Sequence, residues 1–332
     1  MRHQPLTFIP GLVADVVTCP ICSCERQLVG LVGYRQHLCF AKLVRLVSIG
    51  EGTFFPLEQQ LLKCPKCVTC YLYPLPTIDQ LEQHYKESSK LHGTLDLSEY
   101  LRRLNAPEPT LTREPRDIID VISTQYGIEG DELGTGFVAD IGCNAADFLA
   151  GFRALGFTWL LGVEPDPILQ ERNAKFVGCD THVGFANTVP ESYVGKCSLV
   201  TLRDTLEHLL DPVNSLKQVW RLLKPGGVIY VKVPNFDCML VQHNLHLYDW
   251  FEVDHLFYFS PSSVSNLLKS CGFERVHSQT VQSVYDNDDL SLIFNGRGGK
   301  VEALDRIGTT QTGRVLQAYG FKPLNAPIET WG

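Results

Sequence analysis

From Phe137 onward, short apolar runs alternate with longer amphipathic stretches, the rhythm of a parallel sheet joined by crossover helices. That rhythm predicts strands at 137–141, 159–163, 180–183, 197–202 and 227–233. Two later runs, 274–281 and 290–294, lie too close together for a helical crossover and predict an antiparallel hairpin at the sheet edge. The chain therefore reads as α/β, with its sheet between about residues 131 and 295. The stretch from 296 to 332 is glycine-rich and polar at first and is expected to form a tail of loop and short helix. Upstream, residues 79–130 read as a helical linker. Its polar part is interrupted by Pro107, Pro109 and Pro115, and one amphipathic helix, 117–123, covers the sheet. A proline-rich turn after Tyr71 leads to Thr77 or Asp79 as helix N-cap, and the following helix is expected to run to Tyr85.

With 332 residues the chain can hold one full α/β domain and a smaller module. No apolar run reaches the length of a membrane span, and Met1 to Pro5 lack the apolar core of a signal peptide. Both features predict a cytoplasmic protein without membrane attachment, in which the twelve cysteines are free or metal-bound rather than paired. The net charge of −8 argues against a nucleic-acid partner. The acidity is uneven, since residues 1–78 carry seven Lys/Arg against four Asp/Glu.

Residues 1–78 contain two short knuckles, Cys19-Pro20-Ile21-Cys22 and Cys64-Pro65-Lys66-Cys67. Each places two thiolates on one tight turn, and together they supply the four sulfurs of a structural zinc site. In a segment with few large apolar clusters, the metal takes the place of a core. No strand–helix context of a redox Cys-x-x-Cys surrounds either pair. Cys24 and Cys70 stand near the pairs and complicate the ligand choice, but Cys-Pro-x-Cys recurs in both halves and makes Cys19, Cys22, Cys64 and Cys67 the expected ligands. Forty-one residues separate Cys22 from Cys64, with apolar runs such as 42–48 between them, the pattern of a ribbon with an insertion.

The chemistry centres on Asp140-Ile141-Gly142-Cys143-Asn144-Ala145-Ala146-Asp147. An apolar strand ends in an acid, Gly142 allows a tight turn, and a helix follows. Asp140 can accept from an ammonium or hydroxyl group. A second strand ends in Glu164, at the offset where nucleoside-binding α/β folds hold ribose hydroxyls. Asn144 and Ala146 stand where a dinucleotide fingerprint needs glycine. A pyrophosphate needs those bare amides; S-adenosylmethionine, which has no phosphate, does not.

Four segments now stand in order: Asp140 to Asn144, Gly162 to Pro165, Leu206-Glu207-His208-Leu209-Leu210-Asp211-Pro212, and Leu223 to Val231. Together they resemble the class I S-adenosylmethionine-dependent methyltransferases over roughly residues 131–295. The resemblance implies a Rossmann-like seven-stranded methyltransferase sheet with S-adenosylmethionine at its carboxyl edge. It implies that Asp140, Gly142, Asn144, Glu164, Asn187 and Asp204 bind the cofactor, with adenine near Phe185 to Asn187 and methionine near Arg203 to Thr205. The N-terminal part resembles the zinc ribbon of sugar C-methyltransferases and their relatives, with Tyr73 where asparagine is usual.

The stretch from Trp250 to Ser260 sets two acids and a histidine among five aromatics, ahead of a Ser260-Pro261 helix start. It resembles the acid–His segment of the same enzymes, which implies His255 as base, Asp254 as its orienting acid and His208 nearby as catalytic. The expected acceptor is a small polar molecule, a nucleotide-linked sugar. Too little chain follows residue 295 for the second α/β domain of the C-methylating enzymes, so O-methylation stays open. Two alternatives stand beside this reading. Glu207, His208 and His255 with Asp204 resemble the metal cluster of divalent-metal-dependent O-methyltransferases that act on RNA ribose or quinone precursors. A module that binds the cofactor without catalysis is the other.

Overall fold

Seven strands make the central sheet of the computed structural model, which describes residues 18–25, 29–33, 60–81, 96–243, 254–281 and 311–326. In chain order the elements are β1 (Val29–Gly33), β2 (Gln60–Lys63), β3 (Cys70–Tyr73), α1 (Leu97–Leu104), α2 (Glu108–Tyr126), β4 (Phe137–Ile141), α3 (Asp147–Ala154), β5 (Leu160–Glu164), α4 (Pro167–Arg172), β6 (Asp180–Val183), β7 (Cys197–Arg203), α5 (Pro212–Leu222), β8 (Leu223–Pro234), β9 (Phe257–Tyr258), α6 (Pro261–Ser270), β10 (Glu274–Val281) and β11 (Val315–Phe321). The large sheet runs β10-β11-β8-β7-β4-β5-β6, with β4, β5, β6, β7 and β8 parallel and β11 antiparallel to both of its neighbours, β8 and β10. The five predicted parallel strands are present. β8 starts earlier than expected, at Leu223.

Side chains alternate across this sheet as a two-residue period requires. Ala139, Ile141, Leu161, Val163, Val200, Leu202, Ile229 and Val231 point to the layer that holds α5 and α6. Val138, Leu160, Leu199, Val228 and Tyr230 point to the opposite layer, where α2 and α3 pack through Ile118, Ile122, Leu149 and Phe152. α5 and α6 start with the chemistry that the sequence offers them. Asp211 caps α5 by accepting from the Asn214 amide, and Ser260 with Ser263 forms a capping box ahead of Pro261.

Two expectations need correction. The tail expected as loop and short helix supplies β11, which lies inside the sheet between β8 and β10; the expected hairpin strand 290–294 lies outside the described residues. With both faces covered, β11 shows no polar alternation, and Gln317, Ala318 and Gly320 are weak strand formers. Gly320 is needed there, because a Cβ would lie 2.9 Å from that of Phe273. The linker is also more helical than expected. Pro109 sits in the first turn of α2, where its missing N–H costs nothing, and Pro115 lies inside the helix.

Residues 1–17, the run 42–48, the helix beyond Leu81 and Trp250 to Val253 lie outside the described residues. Among those described, β1, β2, β3 and β9 form a second, antiparallel sheet beside the cysteine knuckles. Beyond β11, Lys322 is fully buried; its Nζ donates to the carbonyls of Trp220 (2.8 Å) and Leu223 (2.7 Å) and lies 3.8 Å from the Trp220 ring centroid. Among the described residues no helix is long and apolar enough to cross a membrane.

Candidate active site and cysteine centre

The loop after β4 spends its amides on the neighbouring strand. Gly142 and Cys143 both donate to the Val163 carbonyl, at 2.8 and 3.1 Å. Asn144 donates to Glu164 Oε2 at 3.0 Å, and Ala146 to the Cys143 carbonyl. A loop used in this way leaves no row of amides for a pyrophosphate, and three of its residues hold positive φ: Gly142 (77°), Asn144 (46°) and Ala146 (51°). Gly142 is obligatory, since a Cβ there would stand 2.5 Å from the Thr205 hydroxyl.

Glu164, at the end of β5, is half-buried. Its Oε1 accepts from the Asp166 amide at 3.3 Å while Oε2 is held by Asn144. Burial pushes its carboxyl up from the ordinary range. Its neighbour in register on β6 is Val183, which is 52% exposed, followed by Phe185 at 53%. Two large apolar side chains left open beside a carboxylate fit a flat heterocycle over Val183 and Phe185 with a diol on Glu164. Phe185 is therefore not a core residue. Asn187 is exposed on the 3-10 turn Ala186–Thr188 that follows. Asp140 is 2% exposed and lies inside the sheet, where its Oδ1 accepts from Thr201 at 2.5 Å; burial raises its pKa to about 7.

Asp204 follows β7 on an exposed turn at φ 49°, with Lys232 Nζ 3.7 Å from its carboxylate. Three participants at this corner have no local sequence signal. Glu114, from the expected linker, receives Arg203 bidentately (2.8 and 3.3 Å) and the Tyr230 hydroxyl, and pairs with Lys232 at 3.4 Å. Burial opposes its charge, but Arg203 and Lys232 outweigh that and hold it below the usual range. Thr205, whose hydroxyl lies near the carbonyls of Arg203 and Ile141, packs against Gly142. A cavity of about 200 Å³ opens here, lined by Arg102, Arg103, Thr110, Glu114, Asp147 and Arg203.

The 3-10 turn Leu206–His208 brings the histidines together. The rings of His208 and His255 lie 4.7 Å apart, edge to face. His208 Nδ1 is 2.9 Å from the Asp254 carbonyl oxygen and 3.4 Å from its carboxylate. Burial pulls the His208 pKa down, but Asp254 and Glu207 overcome it and raise it to about 9. Glu207 is 1% exposed, both its oxygens lack a hydrogen-bond partner among the described residues, and burial raises its pKa to about 8. One ligand atom from each of Glu207, His208 and His255 falls within 4.8 Å of the others.

The four sulfurs of Cys19, Cys22, Cys64 and Cys67 also converge within 4.8 Å. The two knuckles are built alike. Cys19 and Cys64 each donate to the carbonyl five residues ahead, and each accepts from the amide four ahead, with positive φ at Ser23 and Val68. Cys19–Cys67 and Cys22–Cys64 are 3.7 and 3.6 Å apart. Zinc–sulfur bonds of about 2.3 Å in a tetrahedron require about 3.8 Å, so the set fits that ion. Cys24 and Cys70 are buried outside the converging set, and the Cys70 thiol is pushed up to about 12 by burial.

Comparison with known proteins supplies the family. The chain resembles in fold a putative methyltransferase bound to the Trm112 activator from Haloferax volcanii (16% identity, TM-score 0.45, 65% of this chain and 97% of that one). It likewise resembles a SAM-dependent methyltransferase from Archaeoglobus fulgidus (16%, 0.45, 72% and 99%). A third likeness is the plantazolicin methyltransferase BpumL in complex with a triazolic desmethylPZN analog and SAH (16%, 0.47, 73% and 95%). No curated protein matches the chain by sequence. Residues 98–278, more than half of the chain, match the family described as a methyltransferase domain. The chain belongs to that family and is an S-adenosylmethionine-dependent methyltransferase of the Rossmann-like class.

Proposed function

We infer that this methyltransferase acts on a small polar acceptor, a nucleotide-linked sugar, with His255 as the base that takes the acceptor's proton. The observation that carries the reading is the His208–His255 pair, 4.7 Å between rings, with His208 on the turn that leaves the carboxyl end of β7 and His255 just before β9. Bound S-adenosylmethionine supplies an electrophilic methyl group. Glu164, Val183 and Phe185 hold its adenosine part, with Asn187 beside them. Gly142 and Asn144 shape the loop, Asp140 stiffens the strand beneath it, and Asp204 and Arg203 face the methionine end. His208, kept cationic by Asp254, is a proton donor rather than a base at neutral pH. His255 would take the proton of an acceptor hydroxyl or acidic carbon, whose electron pair would then displace S-adenosylhomocysteine from the methyl carbon. Residues 1–78 form the zinc ribbon that borders the acceptor, with Cys19, Cys22, Cys64 and Cys67 as ligands. Residues 131–295 form the catalytic domain, to which the tail adds β11.

A second reading is favoured by Glu207, whose buried oxygens have no partner among the described residues and one of which lies within 4.8 Å of ring nitrogens of His208 and His255. It makes the enzyme a divalent-metal-assisted O-methyltransferase. One experiment separates the two. His255→Ala is expected to cut turnover on a panel of nucleotide sugars by roughly 10²–10⁴-fold while S-adenosylhomocysteine still binds. A chelator too weak to strip four thiolates should leave the wild type active. Loss of activity to that chelator, restored by Mn²⁺ or Mg²⁺, would replace the first reading with the second.

A further inference from the structure

The small sheet joins the cysteine centre to the histidine segment. β2 enters the Cys64–Cys67 knuckle, β3 leaves it, and β3 pairs with β9, which begins two residues after His255. Cys70 faces Tyr258, Tyr71 faces Phe257, and the Leu72 amide donates to the Leu256 carbonyl at 3.0 Å. The same segment is tied to the catalytic domain on its other side. The Leu256 amide donates to the Glu207 carbonyl at 2.8 Å, and the Phe236 amide to that of Phe259 at 2.7 Å. Side chains follow the same route. Cys19, Cys64, Cys67 and Tyr71 share one buried cluster with Leu206, Leu256 and Phe257.

We propose that the cysteine centre is the positioning element of the histidine pair: closing the four sulfurs fixes β3, β3 fixes residues 256–258, and these hold His255 against His208. β9 is two residues long, and so short a strand has no stability of its own. Its register comes from β3, which in turn grows from a knuckle whose folding energy a bound metal supplies. The cofactor-side groups Glu164, Val183 and Phe185 sit on β5, on β6 and just after it, at the far end of the sheet order, and make no part of this chain of backbone contacts. Opening the centre therefore lowers turnover and spares cofactor affinity. The turnover arm rests on the reading of His255 as base; the structural arm does not.

The test strips zinc reversibly from the intact enzyme with a thiol-reactive mercurial, and repeats the measurements on Cys64→Ser/Cys67→Ser. Amide exchange at Leu72 and Leu256, histidine ring resonances, S-adenosylhomocysteine affinity, kcat and KM are then followed together. Protection at both amides is expected to fall at least about tenfold as metal leaves, with the His208 and His255 resonances moving in step. Affinity should stay within about threefold, kcat should fall at least about tenfold with the cofactor KM unchanged, and Zn²⁺ should restore everything. A metal-free enzyme that keeps both protected amides and unmoved histidine signals overturns the proposal. So does a metal-free preparation that takes up no Zn²⁺. If exchange and resonances respond but turnover does not, the positioning stands and the base assignment to His255 falls.

Discussion

Glu164→Ala gives the sharpest measure of the cofactor edge. Each Glu164 oxygen already accepts one backbone amide, from Asn144 or from Asp166, and a carboxylate oxygen has room for a second donor. Two ribose hydroxyls can therefore be received without displacing the bonds that aim the group. Such bonds to a charged acceptor contribute about 1.5–3 kcal/mol, and the half-buried position keeps water from replacing them fully. The alanine variant should bind S-adenosylhomocysteine roughly 10- to 150-fold more weakly by calorimetry. Glu164→Gln should fall between, because its amide must turn an N–H toward one of the two loop donors. Burial raises the Glu164 carboxyl, so wild-type affinity should weaken as pH falls through that raised value, and the alanine variant should not show this dependence. An alanine variant of native melting behaviour with affinity within twofold of wild type would refute the assignment.

Phe185→Ala should weaken S-adenosylhomocysteine and free adenosine alike, by about 1–3 kcal/mol, if the ring stacks on the adenine; calorimetry with both ligands checks it. Asp140 keeps its proton to about 7 in the folded chain against 3.8 ordinarily, so its contribution to stability is complete below about pH 4 and is lost as pH rises toward 7. The change is about 4 kcal/mol at most, and Asp140→Asn should flatten that part of a urea-denaturation pH series. Lys322 behaves oppositely. Burial lowers its pKa to about 8 from 10.5, so the unfolded chain binds more protons between these values and stability should rise across that window. Lys322→Met should abolish the rise and, by deleting two charged hydrogen bonds to the end of α5, cost about 1–3 kcal/mol near neutral pH in the same assay.

The parallel strands were legible because each is an apolar run ended by an acid or a turn residue, as at Asp140 and Glu164. The four converging cysteines were legible because Cys-Pro-x-Cys recurs in both halves, and the matching turns at Ser23 and Val68 are the structural form of that repeat. β11 was not legible, since Gln317, Ala318 and Gly320 break the continuous apolar run by which a strand covered on both faces is otherwise recognised. Glu114 was hidden for a different reason. Its partners Arg203, Tyr230 and Lys232 lie about 90 to 120 residues away along the chain, and no local pattern encodes such a pairing. Phe185 was expected near the adenine, whereas Val183 carried no signal until its exposure was seen at the register position beside Glu164.

The place of β11 also governs the order of assembly. Among the described residues β10 pairs only with β11 in the large sheet, and β11 separates it from β8, so β10 waits until Phe321 has been synthesised. The nascent chain thus carries a five-stranded parallel sheet whose β8 edge is open, although the cofactor loop and Glu164 are already in place. Closing a gap from Val281 to Val315 is a long-range step that costs loop entropy before any pairing is gained. A ribosome stalled before residue 315 would therefore hold a nucleoside-binding crevice beside an unpaired strand, a species suited to chaperone capture.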